Sequence, residues 1–163
     1  MNLFAVFLCI TAGTMTGLFF TKRSAGRARY FAGLVELIDG LKRNLMFRKD
    51  KLAVFLDDVK PDDKLLGKHI DKFRLYVMGQ VAVEDGKNLL DKGFLKEVEL
   101  AAVQKFFMGL GAGDSATELE ALQSHKDYFA GIYAKHKVSF ERMGTAYTKL
   151  GFLAGLAAGI LLL

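Results

Sequence analysis

The sequence predicts an all-α protein, and three observations carry this prediction. Only one proline occurs among the 163 residues, so almost every position keeps the backbone N–H that a helix requires. Apolar residues make up 52% of the chain and recur at helical spacing in two long stretches. Charged residues are absent from Met1–Thr21 and from Leu150–Leu163. We predict a helical bundle whose long N- and C-terminal helices pair antiparallel and each continue into a transmembrane segment.

Both ends of the chain have the composition of membrane helices. Residues 2–21 reach the roughly 20 apolar positions that a bilayer core requires. Positive charge follows this run instead of preceding it, which is atypical of a secretory signal peptide. The closing uncharged run is shorter, so a span over residues 147–163 requires a helix that begins near Met143 and lets Lys149 extend to the interface. The alternative is a short tail that lies against the first helix or in the headgroup region.

Basic residues flank both predicted spans on their inner sides. By the positive-inside rule, this predicts a cell-membrane protein with residues 22–146 as a cytoplasmic bundle and both termini outside. Adsorption to anionic lipid explains the net charge of +5 more simply than nucleic acid does, so we expect contact with membrane lipid and no nucleic acid. The flanking residues are Lys22, Arg23, Arg27, Arg29, Arg142 and Lys149.

Two seams of apolar residues predict the long paired helices. The N-terminal helix should run unbroken to about Phe47, and the C-terminal helix should run from Leu119 into the membrane. Lys126 and His136 interrupt the second seam, where one polar residue can fix the register of a pair. The first seam consists of Phe31, Leu34, Ile38, Leu41 and Leu45.

Shorter helices are predicted between these two. Proline and clustered aspartates at residues 57–63 should end one helix and cap the next. Further helices are predicted at Leu65–Met78 and Leu95–Leu110, with a turn at Glu84–Lys87 and a short helical piece at Lys87–Lys92. In the helix predicted at Leu95–Leu110, one face should contain Leu95, Val98, Ala102 and Phe106.

Glycine-rich residues 109–113 should end that helix. Ser115 with Glu118 three residues later is typical of a capping box, and Asp114 is a competing N-cap. Gly111 lies at the junction between the two helices.

Glycines at regular spacing indicate surfaces for close helix packing. Small residues four apart share one helix face and allow close backbone approach in lipid; here they are Gly13 and Gly17, and Gly151, Gly155 and Gly159. A second series recurs every seven residues and forms either a groove for a partner helix or an ordinary solvated face: Gly26, Gly33 and Gly40.

No motif predicts catalysis or a cofactor. His69, His125 and His136 lack the paired spacing of a metal site, and Cys9 lies in the predicted membrane helix. The glycines at 109–113 lack the Gly-Lys-Ser/Thr of a phosphate-binding loop. We therefore predict a protein that is not an enzyme and holds no metal or cofactor.

Several motifs resemble the stage III sporulation protein AB family. Glu141-Arg142-Met143 and residues 150–156 are similar to its closing signature. Leu110, Gly111 and Asp114 resemble its Leu-Gly-x-x-Asp helix junction, and Thr16-Gly17 with Lys22 resembles its N-terminal span and exit. The departures are Lys42, Asn44, Phe47, Lys51-Leu52, Glu118 in place of a glutamine, and the missing tryptophan.

The resemblance implies a platform protein similar to those of type II secretion and type IV pilus systems, on the mother-cell side of the outer forespore membrane. Its implied partners are a secretion-type ATPase and other proteins of the channel between mother cell and forespore, and self-association is compatible with this role. The alternative is a basic, membrane-tethered adaptor that binds anionic lipid or nucleic acid through Lys22–Lys51.

Overall fold

A computed structural model describes residues 3–48, 51–80 and 89–161, and helices dominate these ranges. The first long helix, α1, continues directly into a π-helical turn at Asn44–Arg48. No strand occurs within the ranges just given, which confirms the all-α class. The α-helices are α1 (Leu3–Arg43), α2 (Leu52–Asp58), α3 (Lys64–Val77), α4 (Glu97–Gly109) and α5 (Ser115–Leu161).

The chain divides into two compact units. Unit 1 comprises Met1–Ala28 and Ala134–Leu163, and unit 2 comprises Arg29–Tyr133. Helices α1 and α5 each contribute a segment to both units.

Among the residues that the structure describes, no helix is both long enough and apolar enough to cross a membrane. The membrane segments predicted at 2–21 and 147–163 are not supported by this structure and stay predictions.

Unit 2 is built around an aromatic core. The first predicted seam packs inward, with Phe31, Leu34 and Ile38 fully buried. Phe31 stacks on Phe129 of α5 with ring centroids 5.9 Å apart, which joins the two long helices. Aromatic pairs at this distance add about 1 kcal/mol beyond the area that they bury. The other buried aromatic side chains are Tyr30, Phe73, Phe106 and Phe107.

The break predicted at residues 57–63 separates α2 from α3. One carboxylate oxygen of Asp63 accepts hydrogen bonds from the backbone N–H groups of Leu65 and Leu66, at 3.0 and 3.1 Å. This N-cap satisfies two of the donors that the start of α3 leaves without a helical partner. The predicted helices over 65–78 and 95–110 correspond to α3 and α4.

The predicted face of α4 is wrong at one position. Val98 lies in the first turn and is 74% exposed. The helix begins only at Glu97, and its buried positions follow from Glu99 at spacings of four, three and one. They are Glu99, Val103, Phe106 and Phe107.

The short helix predicted at Lys87–Lys92 is wrong where the structure describes it, because residues 89–92 are irregular. Leu89 and Leu90 are adjacent and both buried, so this segment is anchored by two consecutive side chains instead of by one helix face. Gly93 then turns the chain with a φ of 49°. The predicted turn at Glu84–Lys87 lies outside the described residues.

Candidate functional site

In unit 1, α1 and α5 approach each other at glycines. A Cβ atom added at Gly13 would lie 2.3 Å from the carbonyl oxygen of Gly151 and 3.3 Å from the Cα of Gly155. Both neighbours are backbone atoms, which cannot move aside as a side-chain end can. The three glycines thus form a contact at which the two backbones meet directly.

Two further glycines of the predicted packing faces belong to the same helices. The surroundings of Gly17 and Gly159 lie outside what the structure describes. The four-residue spacing places Gly17 one turn from Gly13 on α1, and Gly159 one turn from Gly155 on α5.

Unit 1 also exposes large apolar side chains on both helices. Met15 is 73% exposed and Phe7 is 66% exposed, which is unusual for side chains of this size on a folded surface. Among the described side chains of unit 1, the others are Leu8, Leu18, Phe19, Val138, Phe140, Leu150, Phe152, Leu153 and Ile160.

In unit 2, polar side chains join the long helices. Lys126 on α5 forms an ion pair with Asp39 on α1 at 2.7 Å, and each side chain is only about one-third exposed. One turn away, Lys42 donates a hydrogen bond to Gln123, whose amide in turn donates to Asp127 at 2.9 Å. Lys126, which interrupts the apolar seam in the sequence, therefore contacts α1 through a charge.

A buried histidine lies where three segments of unit 2 meet. His69 Nε2 lies 2.9 Å from the backbone carbonyl of Asp91, and Nδ1 lies 2.7 Å from the Tyr30 hydroxyl. Since a carbonyl only accepts, Nε2 carries the proton and Nδ1 accepts from Tyr30. Burial lowers the pKa of His69 and is also the main reason that the pKa of Tyr30 is raised. Both groups are neutral and fully paired, as in a structural site.

Gly33 and Gly40 contact side chains of this chain. A Cβ at Gly33 would lie 2.9 Å from Leu66, and one at Gly40 would lie 3.0 Å from Phe55. The glycines therefore let α3 and α2 pack against α1. Gly26 belongs to unit 1, so the series does not form one continuous surface in unit 2.

Beside these glycines lies a groove, which we call the α1–α2 groove. Its volume is about 460 Å³. Its α1 side carries charged and small residues, and its other side is formed by Phe55 and the α2–α3 connection. The α1 residues are Arg29, Ala32, Gly33, Glu36, Leu37, Gly40 and Arg43, and those of the connection are Val59, Lys60, Pro61, Asp62 and Asp63.

At the α4–α5 junction, the cap is Asp114. Helix α5 begins at Ser115, so Asp114 occupies the N-cap position. Hydrogen bonds from the Thr117 hydroxyl and from nearby backbone N–H groups lower the pKa of Asp114. Glu118 accepts a hydrogen bond from the backbone N–H of Gly111 at 2.7 Å, and Gly111 has a φ of 79°. Together these contacts fix the turn between the two helices.

Most of the predicted basic flanking residues that the structure describes are exposed. Lys22, Arg23, Arg29 and Lys149 are exposed, whereas Arg27 is half-buried. The side chain of Arg142 lies outside the described residues.

His69 and His125 have different neighbours in unit 2. His69 pairs with Tyr30, and His125 packs edge-on against Phe106. Within the described part of the chain, no group of three or more His, Cys, Asp or Glu could hold a metal ion. The sequence prediction missed the Tyr30–His69 pair, and its partners are 39 residues apart with no local signature.

Comparison with known proteins gives one match. The model of the family named stage III sporulation protein AB matches residues 2–163. No curated protein and no solved structure matches the chain. The match extends over essentially the whole sequence and indicates a role in sporulation. The chain belongs to the stage III sporulation protein AB family.

Proposed function

We propose that this protein is a non-catalytic membrane platform subunit of a secretion-like channel complex between mother cell and forespore. In this proposal, residues 2–21 and 147–163 of unit 1 lie in the membrane with both termini outside. Residues 22–146, which include all of unit 2, lie on the cytoplasmic, mother-cell side. Unit 2 offers its surface to a secretion-type ATPase and to other channel proteins. Family membership supports the sporulation role, and the surface of unit 1 supports the membrane role.

The exposed apolar surface of unit 1 is the observation that carries the proposal. Side chains such as Phe7, Met15 and Leu153 would be costly to leave in water, at about 25 cal/mol per Å² of apolar surface. Lipid removes that cost. In lipid, helices also gain little from burying leucine against leucine, so small residues that allow close approach drive packing. The contact of Gly13 with Gly151 and Gly155 fits this rule.

The membrane role can be tested by extraction and labelling. We expect the full chain to stay in the membrane pellet after alkaline carbonate washing. In a Cys9→Ser background, an exposed Ser124→Cys in unit 2 should react with a membrane-impermeant maleimide only after the cells are opened. Release by carbonate, or labelling of intact cells, would contradict the proposed topology.

The platform role can be tested by copurification from sporulating cells. We expect the tagged protein to recover a secretion-type ATPase, and we expect Gly155→Leu to weaken that recovery because position 155 faces α1. Gly131→Leu is the matched control, since nothing lies within 4 Å of a Cβ added there. Recovery of lipid alone, without a secretion-type partner, would argue against a platform.

The adaptor function is the alternative within the same architecture. Not all cations of the proposed Lys22–Lys51 binding region are free to bind phosphate, because Lys42 donates a hydrogen bond to Gln123. Phosphate contacts lose affinity steeply with salt, so binding to DNA and acidic vesicles across salt concentrations distinguishes the two proposals.

A further inference from the structure

The α1 side of the α1–α2 groove carries an ordered stripe of charge. Arg29, Glu36 and Arg43 are spaced seven residues apart, which keeps them on nearly the same helix face. From the first to the last, the stripe extends about 21 Å along the helix. None of the three forms an ion pair in the part of the chain that the structure describes.

We propose that this groove binds an α-helical segment of a partner protein whose charges follow the order acidic, basic, acidic at seven-residue spacing. The inference rests on the platform function, which requires a docking site on unit 2. A helix packed nearly parallel to α1 keeps a seven-residue repeat in register with the stripe. Its acidic residues would lie opposite Arg29 and Arg43, and its basic residue opposite Glu36.

The composition of the groove favours a protein over a polyanion. Glu36, Asp62 and Asp63 line it together with its three cations, so a nucleic acid or an anionic lipid surface would meet carboxylates as well as cations. A helix with alternating charge complements both signs. The half-buried apolar side chains of Phe55 and Val59 offer contact to the segment's apolar positions.

A second copy of this chain fits the groove poorly. The order Arg–Glu–Arg reads the same in both directions, so a copy aligned in register would place like charges opposite one another. Such contacts are unfavourable at interfaces. The occupant should therefore be a different polypeptide with the complementary order.

Two synthetic helical peptides test the proposal directly. Each has about 22 residues, enough to span the stripe with a turn at either end. They differ only at three positions spaced by seven residues, which read Glu–Lys–Glu in one and Lys–Glu–Lys in the other. Fluorescence anisotropy with the detergent-solubilised full chain should show about tenfold tighter binding of Glu–Lys–Glu. Equal affinity, or binding of neither peptide, would overturn the proposal.

Reversal of the stripe provides a gain-of-function control. The triple variant Arg29→Glu, Glu36→Arg, Arg43→Glu should bind Lys–Glu–Lys more tightly than Glu–Lys–Glu, which an unfolded protein could not do. A matched reversal outside the groove, Lys68→Glu, Lys105→Glu, Glu120→Arg, should keep the original preference, since these residues are exposed and none of them lines the groove.

The same variants separate this inference from the platform function. If the triple variant keeps the wild-type peptide preference, or the matched control inverts it, the groove is not the docking site. The platform function would still stand if carbonate-resistant membrane association and ATPase recovery persist. If the wild-type protein shows neither carbonate-resistant membrane association nor ATPase recovery but keeps the peptide preference, the platform proposal fails and the groove remains a peptide-binding site.

Discussion

Substitution of Gly13 by alanine should loosen unit 1, although alanine is the better helix former. Replacing a glycine within a helix gains about 1 kcal/mol. At position 13, however, the new Cβ would lie 2.3 Å from the carbonyl oxygen of Gly151, so the backbones must separate by about 1 Å. Overpacking of this kind costs about 1–3 kcal/mol. We therefore expect a net destabilisation of about 1 kcal/mol.

Hydrogen exchange in detergent micelles measures this change locally. A loss of about 1 kcal/mol should speed exchange of the paired α1 and α5 amides of unit 1 about fivefold. Gly131→Ala is the control, because that glycine is exposed with nothing within 4 Å of an added Cβ. Its neighbouring amides should exchange more slowly than in the wild type. If Gly13→Ala also slows exchange, the close backbone contact does not constrain this helix pair.

Four further predictions concern unit 2, and each is measured by chemical unfolding of the full chain. Tyr30→Phe should cost about 1–3 kcal/mol, because it leaves the buried Nδ1 of His69 without its donor. Burial lowers the pKa of His69 from its ordinary 6.5, so the free energy of unfolding should be highest above that pH and fall as the pH drops below it. His69→Phe should flatten this pH dependence. An unchanged profile in the variant would contradict a buried, neutral His69. Asp114→Ala should lower the stability and Ser115→Ala should leave it almost unchanged, whereas equal losses would contradict a cap at Asp114. Lys126→Met should cost about 1 kcal/mol by removing the ion pair between α1 and α5, and no loss would show that the pair contributes nothing.

Periodicity sufficed to predict the long helices and their buried side. Phe31, Leu34 and Ile38 recur at spacings of three and four, and that spacing alone indicates one apolar face. The break before α3 could be predicted equally well, because proline and aspartate affect the backbone only within a few residues along the chain. Such signals depend on local backbone chemistry, so the sequence displays them directly.

Features set by tertiary contacts could not be predicted in this way. The irregular segment at residues 89–92 is held by two adjacent buried leucines and by the bond from His69 to the Asp91 carbonyl. Neither contact leaves a local pattern. The seven-residue glycine series was visible, but periodicity could not show that Phe55 and Leu66 of the same chain pack against Gly40 and Gly33.

The long helices pair by different chemistry in each unit, and the difference bears on the membrane proposal. In unit 2, α1 and α5 contact each other through stacked rings and an ion pair, which are Phe31 with Phe129 and Asp39 with Lys126. In unit 1, Gly13 meets the backbone of α5 while large apolar side chains point outward. In water, burying aromatic rings stabilises a helix pair, whereas in hydrocarbon the close approach of small residues stabilises it. The change of chemistry within the same two helices is therefore what we expect if the surroundings change from water to lipid.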